Sequence, residues 1–275
     1  MKNLLDIRQE VNALFEKNNI DLFDTNVLIS EVLNIPLSKL FLVESVDDKS
    51  YKKIINYAKK RCGGKPITKL FNKAYFYGLE FYVNNDVLSP RKETELLVEK
   101  TLQEIKSDSK VLDLCTGSGA IAISLAKNCD AEITASDISK KALNVAKKNA
   151  KNLGVNVKFV QSNMFDKIKG KFDVIVSNPP YIASQDVNNL EREVKDYDPV
   201  LALDGGVDGL EFYKIIARES PKFLSKIGVL MLEIGFNQYK DVEQLLKLNN
   251  FDTILVKDYS GNDRIVIAKL TERKK

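Results

Sequence analysis

The chain contains no histidine in 275 residues. That absence removes every scheme that needs an imidazole: Ser-His-Asp and Cys-His nucleophile systems, histidine general bases and histidine metal ligands. Cysteine is scarce as well. Cys62, Cys115 and Cys129 stand 53 and 14 residues apart, so no Cys-x-x-Cys pair is present and no metal site is expected. Three cysteines in so long a chain suit a reducing compartment better than a disulfide scaffold. No apolar run approaches ~18 residues, so no membrane span is expected. The first residues, MKNLLDIRQEVNALFEK, are broken by Asp6, Arg8 and Glu10, unlike a signal peptide. Charge of one sign is also missing. Residues 1–90 hold 13 basic and 11 acidic residues, and residues 91–275 hold 29 and 27, a surplus of +2 in each part. There is no basic arm or acidic tail, and specific nucleic-acid binding is not expected. The expectation is a cytoplasmic monomer.

What is present is a normal soluble balance, 44% hydrophobic and 29% charged, with length enough for a sizeable core. Residues 3–18 place Leu4, Ile7, Val11, Leu14 and Phe15 at helical spacing, and residues 24–34 repeat the pattern. Residues 47–61 form a third amphipathic stretch ending in Lys59, Lys60 and Arg61 before Gly63-Gly64, the ending that a helix C-terminus favours. The basic cluster reads as a helix end. Loosely alternating aromatics, Tyr75 to Val83 around Gly78, predict a short β-hairpin that links two domains. The expected division is a helical domain over 1–73, a hairpin over 74–88 and a larger domain over 89–275.

From residue 110 the rhythm is strand, helix, strand, helix. Strands are predicted at 111–115, 132–136, 157–160, 172–177 and 228–235, with a final pair at 251–256 and 264–268. Helices are predicted at 91–106, 119–128, 139–153, 209–225 and 237–248, and a long polar loop over 178–208. This alternation argues for an α/β fold with an open, mainly parallel seven-stranded sheet covered on both faces. Ser260-Gly261-Asn262 between the last two strands makes them an antiparallel hairpin.

Two strings carry chemistry. In DLCTGSGAIA, Gly117, Gly119 and Ala122 fit G-x-G-x-x-A where a strand hands over to a helix. Asp137 follows at the end of the next strand, where a carboxylate can accept two ribose hydroxyls. That pairing suits a nicotinamide enzyme or a methyltransferase equally. The second string is SNPPY, residues 177–181, directly after the buried strand FDVIVS. Strands one and four flank the topological switch of a doubly wound sheet, where ligands bind, so Asn178 should project beside the cofactor. Prolines 179 and 180 have no N–H to compete for a ligand. The Asn178 carboxamide and the Pro179 carbonyl can together accept both hydrogens of one –NH2 group, and Tyr181 offers a flat surface to pack on it. Such a constellation suits an amino group on an sp² carbon.

The NPPY string resembles the methyltransferases of planar amino nitrogens, which include N6-adenine DNA methyltransferases and protein-glutamine N5-methyltransferases. Along nearly the whole chain the sequence is similar to the HemK-type release factor glutamine methyltransferases. The likeness runs through residues 64–99, DLCTGSGAIAI, ASDIS, QSNMF, VSNPPYI, LALDGGVDGLEFYK, LEIGFNQ and KDYSGNDRIV. It implies a Rossmann-like class I methyltransferase fold, with S-adenosylmethionine as cofactor and S-adenosylhomocysteine as product. It implies that Cys115, Thr116, Gly117, Ser118, Gly119, Asp137, Met164 and Asn178 line the cofactor site. Asn178, Pro179, Pro180 and Tyr181 would hold the target, the GGQ-loop glutamine of peptide chain release factors, and the N-terminal helices would dock that partner. The alternative is an N6-adenine-type nucleic-acid amino methyltransferase, which the even charge split disfavours. Three positions depart from the family pattern. Cys115 replaces a common glycine, so that position need not have positive φ. Lys92 replaces a proline and Met164 an aromatic. Asp204 to Gly209 should form a turn or shape the substrate pocket, and Glu233 is expected to be structural or substrate-orienting rather than a base.

Overall fold

The structure is a computed structural model that describes residues 1–271; the end of the expected 89–275 domain lies outside them. Two compact units are present. One holds Met1–Lys73 with Glu191–Tyr197, the other Ala74–Leu190 and the chain from Asp198 onward. None of the helices among the described residues is long and apolar enough to cross a membrane.

The first unit is built on α1 (Leu4–Lys17), α2 (Phe23–Leu33) and α3 (Asp48–Cys62), followed by the short α4 (Ile67–Phe71). Asn3 caps α1 by accepting from the Leu5 N–H, and Asp47 caps α3 by accepting from Lys49 and Ser50, which satisfies donors that a helix start leaves free. Ile7, Val11 and Phe15 of α1 meet Leu28 and Ile29 of α2 and Ile54 and Ala58 of α3 in one core. These are the helical-period positions of the sequence.

The basic end of α3 does not behave as a wholly solvated cluster. Lys59 and Lys60 are exposed, but Arg61 is buried. Its Nε donates to Asp24 at 2.7 Å and its Nη1 to Glu193 at 2.5 Å. Arg61 lies in the last turn of its helix, as the sequence predicts, and is also an internal ion-pair hub, with Glu193 arriving from a segment 132 residues away.

The second unit opens within a hairpin, β1 (Lys73–Phe76), whose first residue is the last of the 1–73 segment, and β2 (Leu79–Tyr82). Tyr77 and Gly78 between them have φ of 50° and 72°, the left-handed pair that a two-residue hairpin turn requires. Next come α5 (Thr94–Glu104), β3 (Lys110–Leu114), α6 (Ala120–Asn128), β4 (Glu132–Asp137), α7 (Lys140–Leu153), β5 (Lys158–Gln161) and β6 (Phe172–Ser177). The unit closes with α8 (Glu211–Glu219), β7 (Leu224–Glu233), α9 (Tyr239–Leu248), β8 (Phe251–Lys257) and β9 (Asp263–Leu270).

The seven strands β3 to β9 form one sheet in the order β8-β9-β7-β6-β3-β4-β5. β9 runs antiparallel to β8 and β7, and the remaining pairs are parallel, as the alternation and the closing hairpin predict. Buried residues on its two faces form separate clusters, one with α5 and α6, the other with α8 and α9. Most element ends fall within four residues of expectation, and one differs by more. The helix predicted over 209–225 ends at Glu219, and β7 begins at Leu224. Pro221 stands in the 3-10 turn between them, because its ring and missing N–H stop an α-helix.

Candidate active site

The sheet order reverses at β3. Its neighbours are β4, which leads away to β5, and β6, which leads to β7. A crevice opens beyond the carboxyl ends of strands at such a point. Leu114 pairs with Ser136 on one side and Ser177 on the other, so the loops beginning at Cys115, Asp137 and Asn178 leave the sheet side by side. A cavity of about 290 Å³ lies there, near the small end of ligand pockets, roughly 300 Å³ and above. Its lining includes Cys115, Gly117, Asp137, Met164, Asn178 and Pro180. Five residues expected at the site, Thr116, Ser118, Gly119, Pro179 and Tyr181, do not line it, and three of these support the glycine turn from behind.

The turn is held by two carboxylates. Asp113, fully buried on β3, accepts from the Thr116 hydroxyl at 2.6 Å and from the Ala122 N–H at 3.2 Å. Burial pushes its carboxyl up to about 7. Asp137 accepts from the Gly117 N–H at 2.9 Å and the Ser139 N–H at 2.8 Å. One bond to each oxygen leaves acceptor capacity on both. Burial raises its pKa, against the opposing pull of those N–H groups. Ser139 caps α7 by accepting from Ala142. The Ser118 carbonyl accepts from Asn149. Gly119 has φ of 82°, and a Cβ there would lie 2.8 Å from Ile123 and 3.1 Å from Ala146, so glycine is required both for the turn and for the approach of α6 to α7.

Cys115 keeps a glycine-like backbone. Its φ is 60°, so the left-handed turn at the end of β3 is kept without glycine, a conformation that costs a non-glycine residue about 1–2 kcal/mol. Its Sγ lies 3.9 Å from Sδ of Met164, which also has positive φ, 45°. The Met164 carbonyl is fixed by the Ser162 hydroxyl at 2.9 Å. Burial drives the Cys115 thiol well above its ordinary range, so it is a neutral wall group and not a thiolate.

The Asn178 loop is held from three directions. The Asn178 amide, Nδ2, donates to the hydroxyl of Thr94, first residue of α5, at 3.2 Å. Gln238 donates to the Tyr181 carbonyl at 2.9 Å and the Gly209 carbonyl at 3.2 Å while accepting from the Gly235 N–H. Ile182 exchanges backbone bonds with the 203–205 segment, donating to Leu203 O at 3.0 Å and accepting from Gly205 N at 2.8 Å. The Asp204–Gly209 stretch thus braces the loop. Tyr181 is largely buried, and its phenol is pushed up to about 12, chiefly by burial and next by the Glu233 carboxylate. Glu233, at the end of β7, is buried, and desolvation lifts it to about 7.

Thr94 and Gln238 carried no sequence signal of their own, since each acts on a partner 84 or 57 residues away. Asp113 had one: it is the lone charge inside the apolar strand VLDLC.

Comparison with known proteins agrees with this geometry. The family model for a methyltransferase small domain matches residues 85–206. A release factor glutamine methyltransferase of Agrobacterium fabrum is 38% identical over 257 residues, covering 89% of each chain. One of Thermodesulfovibrio yellowstonii is 36% identical over 278 residues, 98% of each. Among solved structures, a Pyrococcus furiosus methyltransferase superposes with a TM-score of 0.56 at 19% identity, covering 78% of this chain and 97% of that one, a likeness of fold.

Proposed function

The chain belongs to the family of release factor glutamine methyltransferases, and from that membership we propose that it moves a methyl group from S-adenosylmethionine to the side-chain amide nitrogen of a glutamine presented by a peptide chain release factor. The observation that carries this reading is the Asn178 carboxamide. Its NH2 is turned back to Thr94 while the residue lines the cavity, so its oxygen is the atom free to receive an N–H from a substrate.

The residues fit the cofactor. A Cβ at Gly117 would meet nothing within 4 Å, so backbone is open to a ligand, and Asp137 keeps acceptor capacity beside it for a ribose diol. Ile138 and Met164 supply apolar walls for a flat base. S-adenosylmethionine brings a methyl on a sulfonium with a neutral leaving group. The protein's work is alignment and charge stabilisation. An amide nitrogen is a weak nucleophile because its lone pair is delocalised. Acceptors at Asn178 Oδ1 and the Pro179 carbonyl draw on its N–H bonds and stabilise the positive charge that grows as the new N–C bond forms. No base is required first, because the methylated amide is acidic and loses its proton to water.

The helical unit provides added contact area for a folded partner. Its 3-10 segment Leu37–Leu42 leaves Leu37, Phe41 and Leu42 exposed.

Labelled S-adenosylmethionine incubated with purified release factors, DNA and RNA, followed by mass spectrometry, tests the reading. Label on a glutamine side chain is expected, and label on nucleic acid overturns it. Asn178→Ala is expected to lower turnover by about two orders of magnitude or more, the loss typical of a transition-state hydrogen-bond partner.

A further inference from the structure

A carboxylate left under an active-site loop with few closed hydrogen bonds is expensive, since burying a charge costs several kcal/mol unless it is matched. Glu233 is such a group. Only 2% of it is exposed, and its Oε2 has no hydrogen-bond partner among the described residues. An apolar side chain would stabilise the sheet edge better, so a role in folding does not account for it.

Its surroundings suggest another role. Ser177 pairs with Leu232 across β6 and β7, which brings the next residues, Asn178 and Glu233, to the same sheet edge. Thr94 is 5% exposed and accepts from Asn178 Nδ2 at 3.2 Å. Having accepted there, its single hydroxyl hydrogen is free to point at the carboxylate. Thr94, Arg264 and Asn178 all favour the ionised form of Glu233, and Glu93 opposes it. The Tyr213 hydroxyl fixes the backbone beneath, donating to the Glu233 carbonyl at 2.9 Å.

We propose that Glu233 and Thr94 form a buried acceptor pair that orients the Asn178 carboxamide, drawing its NH2 to the rear so that Oδ1 faces the substrate amide. A carboxamide has nearly equal halves sterically, and a flipped Asn178 would set donor against donor at the substrate –NH2. Once ionised, above its pKa of about 7, the Glu233 carboxylate cannot donate, so it then enforces one orientation. Glu233 and Thr94 are positioning residues. They act through Asn178, and the inference rests on the proposed role of that residue.

The test is steady-state kinetics with S-adenosylmethionine and a purified release factor on Thr94→Val, Thr94→Ser, Glu233→Gln, the Thr94→Val/Glu233→Gln double variant and Asn178→Ala, with folding checked by thermal melting. Expected are a fall in kcat of roughly tenfold for Thr94→Val and for Glu233→Gln with KM for S-adenosylmethionine unchanged, because the effect is confined to the transition state. Thr94→Ser should restore most of the activity. The double variant should be little worse than either single one, as for residues that act as a unit. A kcat within twofold of wild type in Thr94→Val, no rescue by serine, or losses that multiply in the double variant would overturn the proposal. If Glu233→Gln does not fold, the valine and serine pair decides alone. Near-normal turnover in Asn178→Ala would instead defeat the underlying reading of the site. A strong loss there with normal Thr94→Val defeats only the relay.

Discussion

Gly205 separates catalytic positioning from stability. Its φ is not in the left-handed region, but a Cβ placed on it would lie 2.8 Å from the Pro180 carbonyl oxygen, 2.8 Å from Tyr181 Cα and 3.0 Å from Gly209 Cα. All three are backbone atoms, so no side chain can swing away. Ordinary contact begins at 3.4 Å, and the Asn178–Tyr181 loop must therefore retreat by about 0.6 Å or more in Gly205→Ala. Overpacking of this kind costs about 1–3 kcal/mol. Misplacement approaching 1 Å lowers turnover by up to about 10²-fold, so a loss of roughly ten- to a hundredfold is expected. Gly78→Ala is the control. A Cβ there meets nothing within 4 Å, but φ is 72°, so it should lose about 1–2 kcal/mol through backbone strain alone. The two variants should melt at comparable temperatures, while only Gly205→Ala loses kcat. Equal turnover in the two would refute the argument that the Asp204–Gly209 stretch sets the position of the loop.

Three other outcomes follow from the geometry. Tyr181→Phe should keep kcat within about threefold, because a phenol pushed up to about 12 stays protonated at neutral pH; a loss of more than tenfold in steady-state assays would give the hydroxyl a chemical role. Arg61→Ala should destabilise the helical unit by about 2–3 kcal/mol, read as faster amide exchange in α2 and α3; the figure is below that for a fully buried pair because Glu193 is 38% exposed and is screened by water. The third concerns pH. Asp113 has a folded pKa of about 7 against an ordinary 3.8, so the folded chain holds the proton more tightly. Its contribution is fully present below about pH 4 and is lost as pH rises towards 7, by at most roughly 4 kcal/mol at 1.36 kcal/mol per unit. In urea unfolding between pH 5 and 8, wild type should lose stability relative to Asp113→Asn; parallel curves would contradict the buried, protonated carboxyl.

The parts legible in the sequence are those with a local or periodic signature. FDVIVS spans Phe172–Ser177 as expected, because a short apolar run between turn signals has few other solutions. The glycine loop and SNPPY were legible because turn chemistry and strand order place both at one sheet edge. What was not legible is the machinery that braces them. Thr94, Gln238 and the Arg61–Glu193 pair join residues 84, 57 and 132 positions apart, and no local pattern encodes such a meeting. The end of the helix at Glu219 was missed for a different reason: the apolar period continues past Pro221, but the backbone cannot. The missing histidines need the same distinction. Composition excludes an imidazole, the side chain that ordinarily titrates near neutrality. Burial supplies two that do, Asp113 and Glu233, each lifted to about 7. One lies beneath the glycine loop and the other at the sheet edge beside Asn178. Residue type sets the ordinary pKa and the fold sets the working one, so the absence of histidine constrains the chemistry of this site without emptying it of groups that respond to physiological pH.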